Sequence, residues 1–431
     1  MSAVSPAAVG TAPVARSGPL AGYRVLELGS TVAGPFCGRM LADFGAEVIK
    51  VEPESGDPVR TMGKRFEGKS LYASSIFRNK RLISLNLHRR EGQEIARELA
   101  RKCDVVIENF RPGTLEKWGL GYESLASDNP RIVMVRISGY GQTGPYSGRP
   151  GYGVIGEAIS GLRHLTGDPD RPPARVAVSL TDYITGLYGA FGAVMALFAR
   201  EKTGRGQFID AALYECAFSF MEPWIASFEK LGHVPGRVGP RLPESTPNNL
   251  YPTADDQYIH ITAMGDALFR RLATAMEQPE LPTDPRFAGA TLRSEHHEAI
   301  DALIGEWTQR HTLASLEEIL ARHDVPATRI FTIADIFADP HYRARQSIVA
   351  APDDDWGSVT MAAVVPRLSD TPGAVVHSGH RIGQDTRDVL AELLGYGSER
   401  IDALSAAGIV QCGAATGNRD PELAESSAGG A

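Results

Sequence analysis

The sequence predicts an α/β fold: a large domain built on a mostly parallel sheet, followed by a smaller α+β domain. Two observations carry this. Short Val/Ile/Leu-rich runs alternate with helix-like stretches from Tyr23 to Ser138, the pattern of strands covered by helices. A chain of 431 residues is also too long for one simple domain. Tyr23-Arg-Val-Leu-Glu-Leu28 reads as a strand and Gly29 to Pro35 as a turn into a helix through Asp43. Gly45 stops that helix, and Ala46 to Glu52 is the next strand. Such a strand–helix–strand unit is the building block of a parallel sheet. It recurs as a strand at Arg81–Leu87, a helix at Glu91–Lys102, and strands at Asp104–Asn109 and Ile132–Ser138. Gly139 to Pro173 is dense in Gly and Pro, as loops over a site are. A β-like run, Arg175–Leu180, then meets a long apolar helix, Tyr183–Arg200, whose small residues permit close packing. A strand at Gln207–Ala211 and a helix through Leu231 follow. The expected division is a disordered tail at 1–18, a large domain at 19–232, a linker at 233–252, a small domain at 253–326, a return to the large domain at 327–411, and a disordered tail at 412–431.

Composition narrows the function. A net charge of −8 argues against nucleic acid, which needs a basic face. Cys37, Cys103, Cys216 and Cys412 show no C-x-x-C spacing and read as reduced thiols in a cytoplasmic protein. Residues 1–18 lack the apolar core of a signal peptide, and the longest apolar stretch, Ala190–Ala199, falls short of the ~20 residues that span a bilayer. No membrane association is expected.

Two segments spell G-x-G-x-x-G, Gly139–Gly144 and Gly151–Gly156. A dinucleotide site needs that motif between a strand and a helix. The first leads into another loop, and the second has no strand before it, so neither is read as a nucleotide fingerprint. His296-His297 and His377-x-x-His380 lack further ligands and are read as solvated, with no metal site. No G-x-S-x-G elbow is present.

A longer series of segments carries more information. It comprises Val25-Leu-Glu-Leu28 with Ala33-Gly-Pro35, Leu41 to Glu52, Arg78-Asn-Lys-Arg81, Val105 to Gly113, Ser138 to Pro145, Ser160-Gly161 with Thr166-Gly167, Ser179-Leu-Thr-Asp182 and Lys202 to Gln207. In order and spacing, from Leu20 to Gly232 and more loosely to Gln411, the series resembles the class III CoA-transferases. That family includes formyl-CoA transferase, carnitine CoA-transferase and the succinyl-CoA:dicarboxylate transferases. The resemblance implies a large Rossmann-like domain and an interlocked homodimer. It also implies acyl-CoA and a small carboxylic acid as substrates, and no tightly bound cofactor.

It further implies that Asp182 is the nucleophile. The residues agree independently: at the start of a long helix, the N–H groups and dipole of the helix end favour an ionised carboxylate, although an aspartate there is often only a cap. The implied chemistry passes through an aspartyl mixed anhydride and an aspartyl-CoA thioester. It needs oxyanion stabilisation and exclusion of water, for which the glycine-rich loops at 139–156 are candidates. CoA contacts carry over to Thr31, Val32, Ala33, Leu85, Asn109, Phe110, Lys117 and Trp118. Arg78, Lys80, Arg81 and Lys117 are candidates for its phosphates, and Arg149, Arg163 and Arg175 for a second substrate carboxylate. The chain departs from the family at Pro53, where an arginine is usual, and at Gly153, where many members carry an acidic residue. Glu157 lies one helical turn on. The glycine flap of some relatives is reduced to Ala263-Met-Gly-Asp266. The alternatives are an α-methylacyl-CoA racemase, whose histidine would fall near Gly151–Gly153 where there is none, and a non-catalytic CoA-binding protein.

Overall fold

The structure, a computed structural model, describes residues 17–413. The expected tails fall outside the described residues apart from their inner ends, which are tied down. Gly18 O accepts a hydrogen bond from Ala21 N–H at 3.1 Å, and Gly413 N–H bonds Gly383 O at 2.8 Å.

Two compact units divide the described chain. One comprises residues 17–160, 178–220 and 346–413; the other comprises 161–177 and 221–345.

The first unit holds a seven-stranded sheet. Its elements in order are β1 (Arg24–Glu27), α1 (Ala33–Asp43), β2 (Glu47–Glu52), α2 (Leu71–Ile76), β3 (Lys80–Leu85), α3 (Arg90–Ala100), β4 (Val105–Glu108), α4 (Thr114–Lys117), α5 (Tyr122–Asp128) and β5 (Val133–Ser138). After them come α6 (Gly153–Ile159), α7 (Leu180–Thr203), β6 (Phe208–Ala212) and α8 (Leu213–Phe218). The last segment contributes β7 (Ile348–Asp353), β8 (Gly357–Ala362), α9 (Thr386–Leu394), α10 (Ser398–Ala406) and β9 (Val410–Gln411). The sheet order is β9-β3-β2-β1-β4-β5-β6, parallel except where β9 runs antiparallel to β3. The central strands are rich in Val, Ile and Leu because both faces are covered. Alternate side chains serve the two faces: Leu26, Ile49, Val106 and Met134 pack with α3, α9 and α10, while Val25, Val48, Val105 and Val133 pack with α1 and α7. Strands β1, β2 and β4 end on buried Glu27, Glu52 and Glu108, with Lys50 and Arg136 buried two residues before the ends of β2 and β5, which marks the edge where the site is built.

Helix α7 has 24 residues, longer than Tyr183–Arg200, and is long and apolar enough to cross a membrane by length and composition. Its small-residue face lies in the core: a Cβ on Gly186 would meet Ala33 O at 2.7 Å, and one on Gly189 would meet Val135 Cγ1 at 3.1 Å. The β-like run Arg175–Leu180 is not a strand; residues 172–176 are irregular, so α7 starts from a loop. Pro172 and Pro173 precede the run and contribute no N–H donors to the irregular segment.

The second unit packs the antiparallel strands Asn248–Pro252, Tyr258–Thr262 and Ala327–Arg329 against helices Asp266–Ala275, His297–Thr308 and Leu313–Arg322. Its core includes Tyr251, Ile259, Ile261, Phe269, Trp307 and Leu316. The expected linker 233–252 thus ends in a strand, and the expected boundary at 326 would cut off the strand that pairs with Ile259–Ile261. The histidines at 377 and 380 also differ from expectation. Their rings stack at 4.1 Å, and His380 Nδ1 lies 2.9 Å from Asp385 Oδ2 at 18% exposure, so the pair is not solvated.

Candidate active site

The strand order β3-β2-β1-β4-β5-β6 reverses direction between β1 and β4, and ligands of open α/β sheets gather beyond the carboxyl ends of strands at such a switch point. Here the chain leaves β1 through a tight turn. Thr31 takes φ 68°, an uncommon conformation for a non-glycine residue that neighbouring groups must hold. The Asp57 carboxylate accepts Thr31 N–H at 3.0 Å, while Asn109 accepts Ser30 N–H and donates to Ser30 O, both at 2.8 Å. Beneath the turn, Lys50 Nζ bonds Gly29 O at 2.7 Å and pairs with Asp57 at 2.9 Å; Lys80 Nζ pairs with Glu27 at 2.6 Å and bonds Pro35 O at 2.7 Å. Burial works against the Asp57 charge, but Lys50 and the N–H groups of Val59 and Thr31 outweigh it and hold the carboxyl below its usual range. Burial pushes Lys80 down to about 8 in spite of Glu27.

Asp182 stands in the first turn of α7, where helix N–H groups and the dipole face a carboxylate. A cavity of about 200 Å³ brings it together with Ser30, Thr31, Val32, Ala33, Asn109 and Arg111. The glycine loop supplies Gly139, Gly151 and Tyr152 to the same wall. Gly139 and Gly151 pack back to back: a Cβ on Gly139 would lie 2.7 Å from Gly151 Cα. Glycine at both positions is thus what lets the loop close on itself. Gly153 opens α6 against Asp182, and a Cβ there would strike the Asp182 Oδ2. The absent acidic side chain is thus a steric condition for this placement of Asp182. Glu157 is buried one turn farther along α6. Next to Asp182 in sequence, Tyr183 shares a hydroxyl hydrogen bond of 2.8 Å with Tyr72.

A sequence profile of CoA-transferase family III matches residues 20–386. The chain belongs to this family. It is 47% identical over 394 residues to the succinyl-CoA--D-citramalate CoA-transferase of Chloroflexus aurantiacus, covering 91% of this chain and 98% of that one. Identity to the succinate--glutarate CoA-transferase of Agrobacterium fabrum is 36%, covering 88% and 96%. The crystal structure of a CAIB/BAIF family protein from Brucella suis superposes with a TM-score of 0.78 at 36% identity, covering 88% of this chain and all of that one.

In this class III CoA-transferase the residues expected at the CoA site fall into three groups. Thr31, Val32, Ala33 and Asn109 line the cavity with Asp182. Phe110 and Trp118 form an edge-to-face pair at 5.3 Å, which His88 joins at 5.6 Å from Trp118; Lys117 is exposed beside them. Leu85 is different, because its side chain is 2% exposed in the sheet core. Three of the four expected phosphate ligands, all but Lys117, are engaged elsewhere. Arg78 is fully buried and bidentate to Asp43 at 2.9 and 2.7 Å, Lys80 serves Glu27, and Arg81 bridges Glu47 and Glu392. A charge flanking a strand end is as well suited to an internal ion pair as to a ligand, and sequence alone does not separate the two. Arg149 stacks on Tyr146 at 3.7 Å, and Arg163 and Arg175 belong to the second unit. His88 and Arg111 were not singled out as site residues; Arg111 follows Asn109-Phe110 directly, which is the signal that would have found it.

Proposed function

We propose that the chain transfers CoA from succinyl-CoA to a small dicarboxylic acid, with Asp182 as covalent carrier. The observation that carries this reading is the Asp182 carboxylate beside the switch-point turn, with a bare glycine against it. The succinyl-CoA and dicarboxylate names of the relatives support the substrate class.

In the proposed cycle Asp182 attacks the thioester carbonyl of the donor. The C–S bond breaks, CoA thiolate leaves, and a mixed anhydride remains. The thiolate then attacks the Asp182 carbonyl carbon, expelling the donor carboxylate and leaving an aspartyl-CoA thioester. The acceptor carboxylate displaces the thiolate to form a second anhydride. Thiolate attack on the acceptor carbonyl releases the new acyl-CoA and restores Asp182. Every attacking group is already an anion, so no proton changes hands. Histidine is absent from the residues lining the cavity, which suits this chemistry and not the α-proton abstraction of a racemase. Arg111 supplies positive charge in the same wall for anionic substrates. The sheet covering of Thr31–Ala33 and the paired glycines of the loop favour a closed site for a water-sensitive anhydride. Four unpaired thiols fit a reducing cytoplasm. A homodimer is part of the same proposal, and the apolar outer face of α7 supports it.

Profiling succinyl-CoA with citramalate, malate, glutarate and monocarboxylates tests the reading beside Asp182→Ala. Transfer to dicarboxylates should fall on the order of 10³-fold or more in the variant, and hydroxylamine should trap a modified Asp182 only in the parent enzyme. Undiminished exchange in Asp182→Ala, or activity on monocarboxylates alone, would reject it.

A further inference from the structure

Glu108 closes β4 with its side chain buried at 1% exposure. One carboxylate oxygen, Oε2, accepts Phe110 N–H at 2.8 Å, and the other, Oε1, accepts Arg136 Nε–H at 2.9 Å. Arg136 comes from the neighbouring strand β5 and reaches Glu116 on α4 with Nη2 at 2.7 Å. A single guanidinium therefore ties the strand end bearing Asn109 and Phe110 to the helical turn bearing Lys117 and Trp118. The rings of Phe110 and Trp118 meet across this tie. Neither Glu108, Arg136 nor Glu116 lines the cavity of Asp182. Buried ion pairs are poor sources of stability compared with apolar packing, yet they fix geometry closely. Burial is so complete here that it lifts the Glu108 carboxyl to about 7 against the pull of Arg136 and the Phe110 N–H.

We infer that Arg136, acting through Glu108 and Glu116, is a positioning residue for CoA, holding the two halves of loop 108–118 at the spacing that lets Asn109, Phe110 and Trp118 form one binding surface. The inference rests on the reading that CoA lies against those residues. Arg136 itself touches neither substrate nor reacting atoms, so its effect belongs in CoA affinity rather than in the chemical step.

The test compares Arg136→Met, Arg136→Lys, Glu116→Gln and Trp118→Ala in the full chain. It measures kcat and KM for succinyl-CoA, the Kd of CoA by calorimetry, and folding by thermal melting. Arg136→Met should raise KM and Kd roughly ten-fold, with kcat at saturation within about two-fold of the parent. Arg136→Lys should recover part of the loss, and Glu116→Gln should weaken CoA binding several-fold without lowering the melting temperature, because the Glu116 carboxylate is 45% exposed. Where Arg136→Met does not fold, Glu116→Gln decides alone, and an unchanged KM in it overturns the inference. Unchanged KM and Kd in a folded Arg136→Met, with Trp118→Ala impaired, overturns the inference and leaves the CoA placement standing. Unchanged binding in Trp118→Ala as well overturns both.

Discussion

The carrier role proposed for Asp182 calls for open space on one side of its carboxylate and fixed neighbours on the other. Gly153 provides the space: any Cβ would collide with the Asp182 carboxylate. Gly153→Ala should therefore displace the carboxylate and lower kcat by roughly 10²-fold, with a smaller change in KM for acyl-CoA, because sub-ångström placement governs attack. Steady-state kinetics beside a melting curve checks it, and a kcat near that of the parent would count against this packing. At this scale the position of Asp182 at the start of a long helix was legible, because an apolar run with small residues follows Ser179-Leu-Thr-Asp182. Gly153 read as a loss because its contact with Asp182 arises only when α6 packs on α7. Arg78 and Lys80 were misread for the opposite reason. Each carries charge beside a motif, but the carboxylates that neutralise them, Asp43 and Glu27, lie 35 and 53 positions away in sequence.

Among the elements, the join between α1 and α7 governs the site, since α1 grows out of the Thr31 turn and α7 begins beside Asp182. Gly186 lets them meet: a Cβ would approach Ala33 O at 2.7 Å and Phe36 Cδ1 at 2.9 Å. Gly186→Val should cost about 1–3 kcal/mol by overpacking and weaken acyl-CoA binding, because it pushes on the Ala33 backbone. Urea unfolding and KM measure the two effects; loss of stability with normal KM would separate the helix join from the turn. The central strands and α1, α3 and α7 were readable from apolar runs and glycine stops. The irregular start of α7 was not, since Val176, Val178 and Leu180 mimic strand alternation. Helix α4 was missed too, being four residues long and held by Arg136 rather than by its own periodicity.

For the whole molecule, the outer stripe of α7 is the feature that asks for a partner. Leu187, Phe191, Val194, Met195 and Phe198 recur at helical spacing, with Phe191 61% and Phe198 60% exposed. Contiguous apolar surface of this kind marks an interface in a soluble chain. Sedimentation at assay concentration should give a homodimer, and the double substitution Phe191→Asp, Phe198→Asp should shift it toward monomer. A monomeric parent would rule the dimer out. Mixed strand and helix after 327 suggests a return to the first unit, and the described chain rejoins that unit at 346. The boundaries were not legible, because the small sheet takes two strands from before its helices and one from after them.

The short strand β9 has a bearing on biosynthesis. Val410 and Gln411 sit opposite Leu85 and Ser84, at the end of the described chain and near its beginning. While the protein is being translated, β3 can align with β2 early, but its outer rim has no mate until residues 410 and 411 have been made. A nascent chain stalled before residue 410 would leave that rim bare, open to pairing with another unfinished polypeptide. Strand β9 thus acts as a closure made long after the strand it covers.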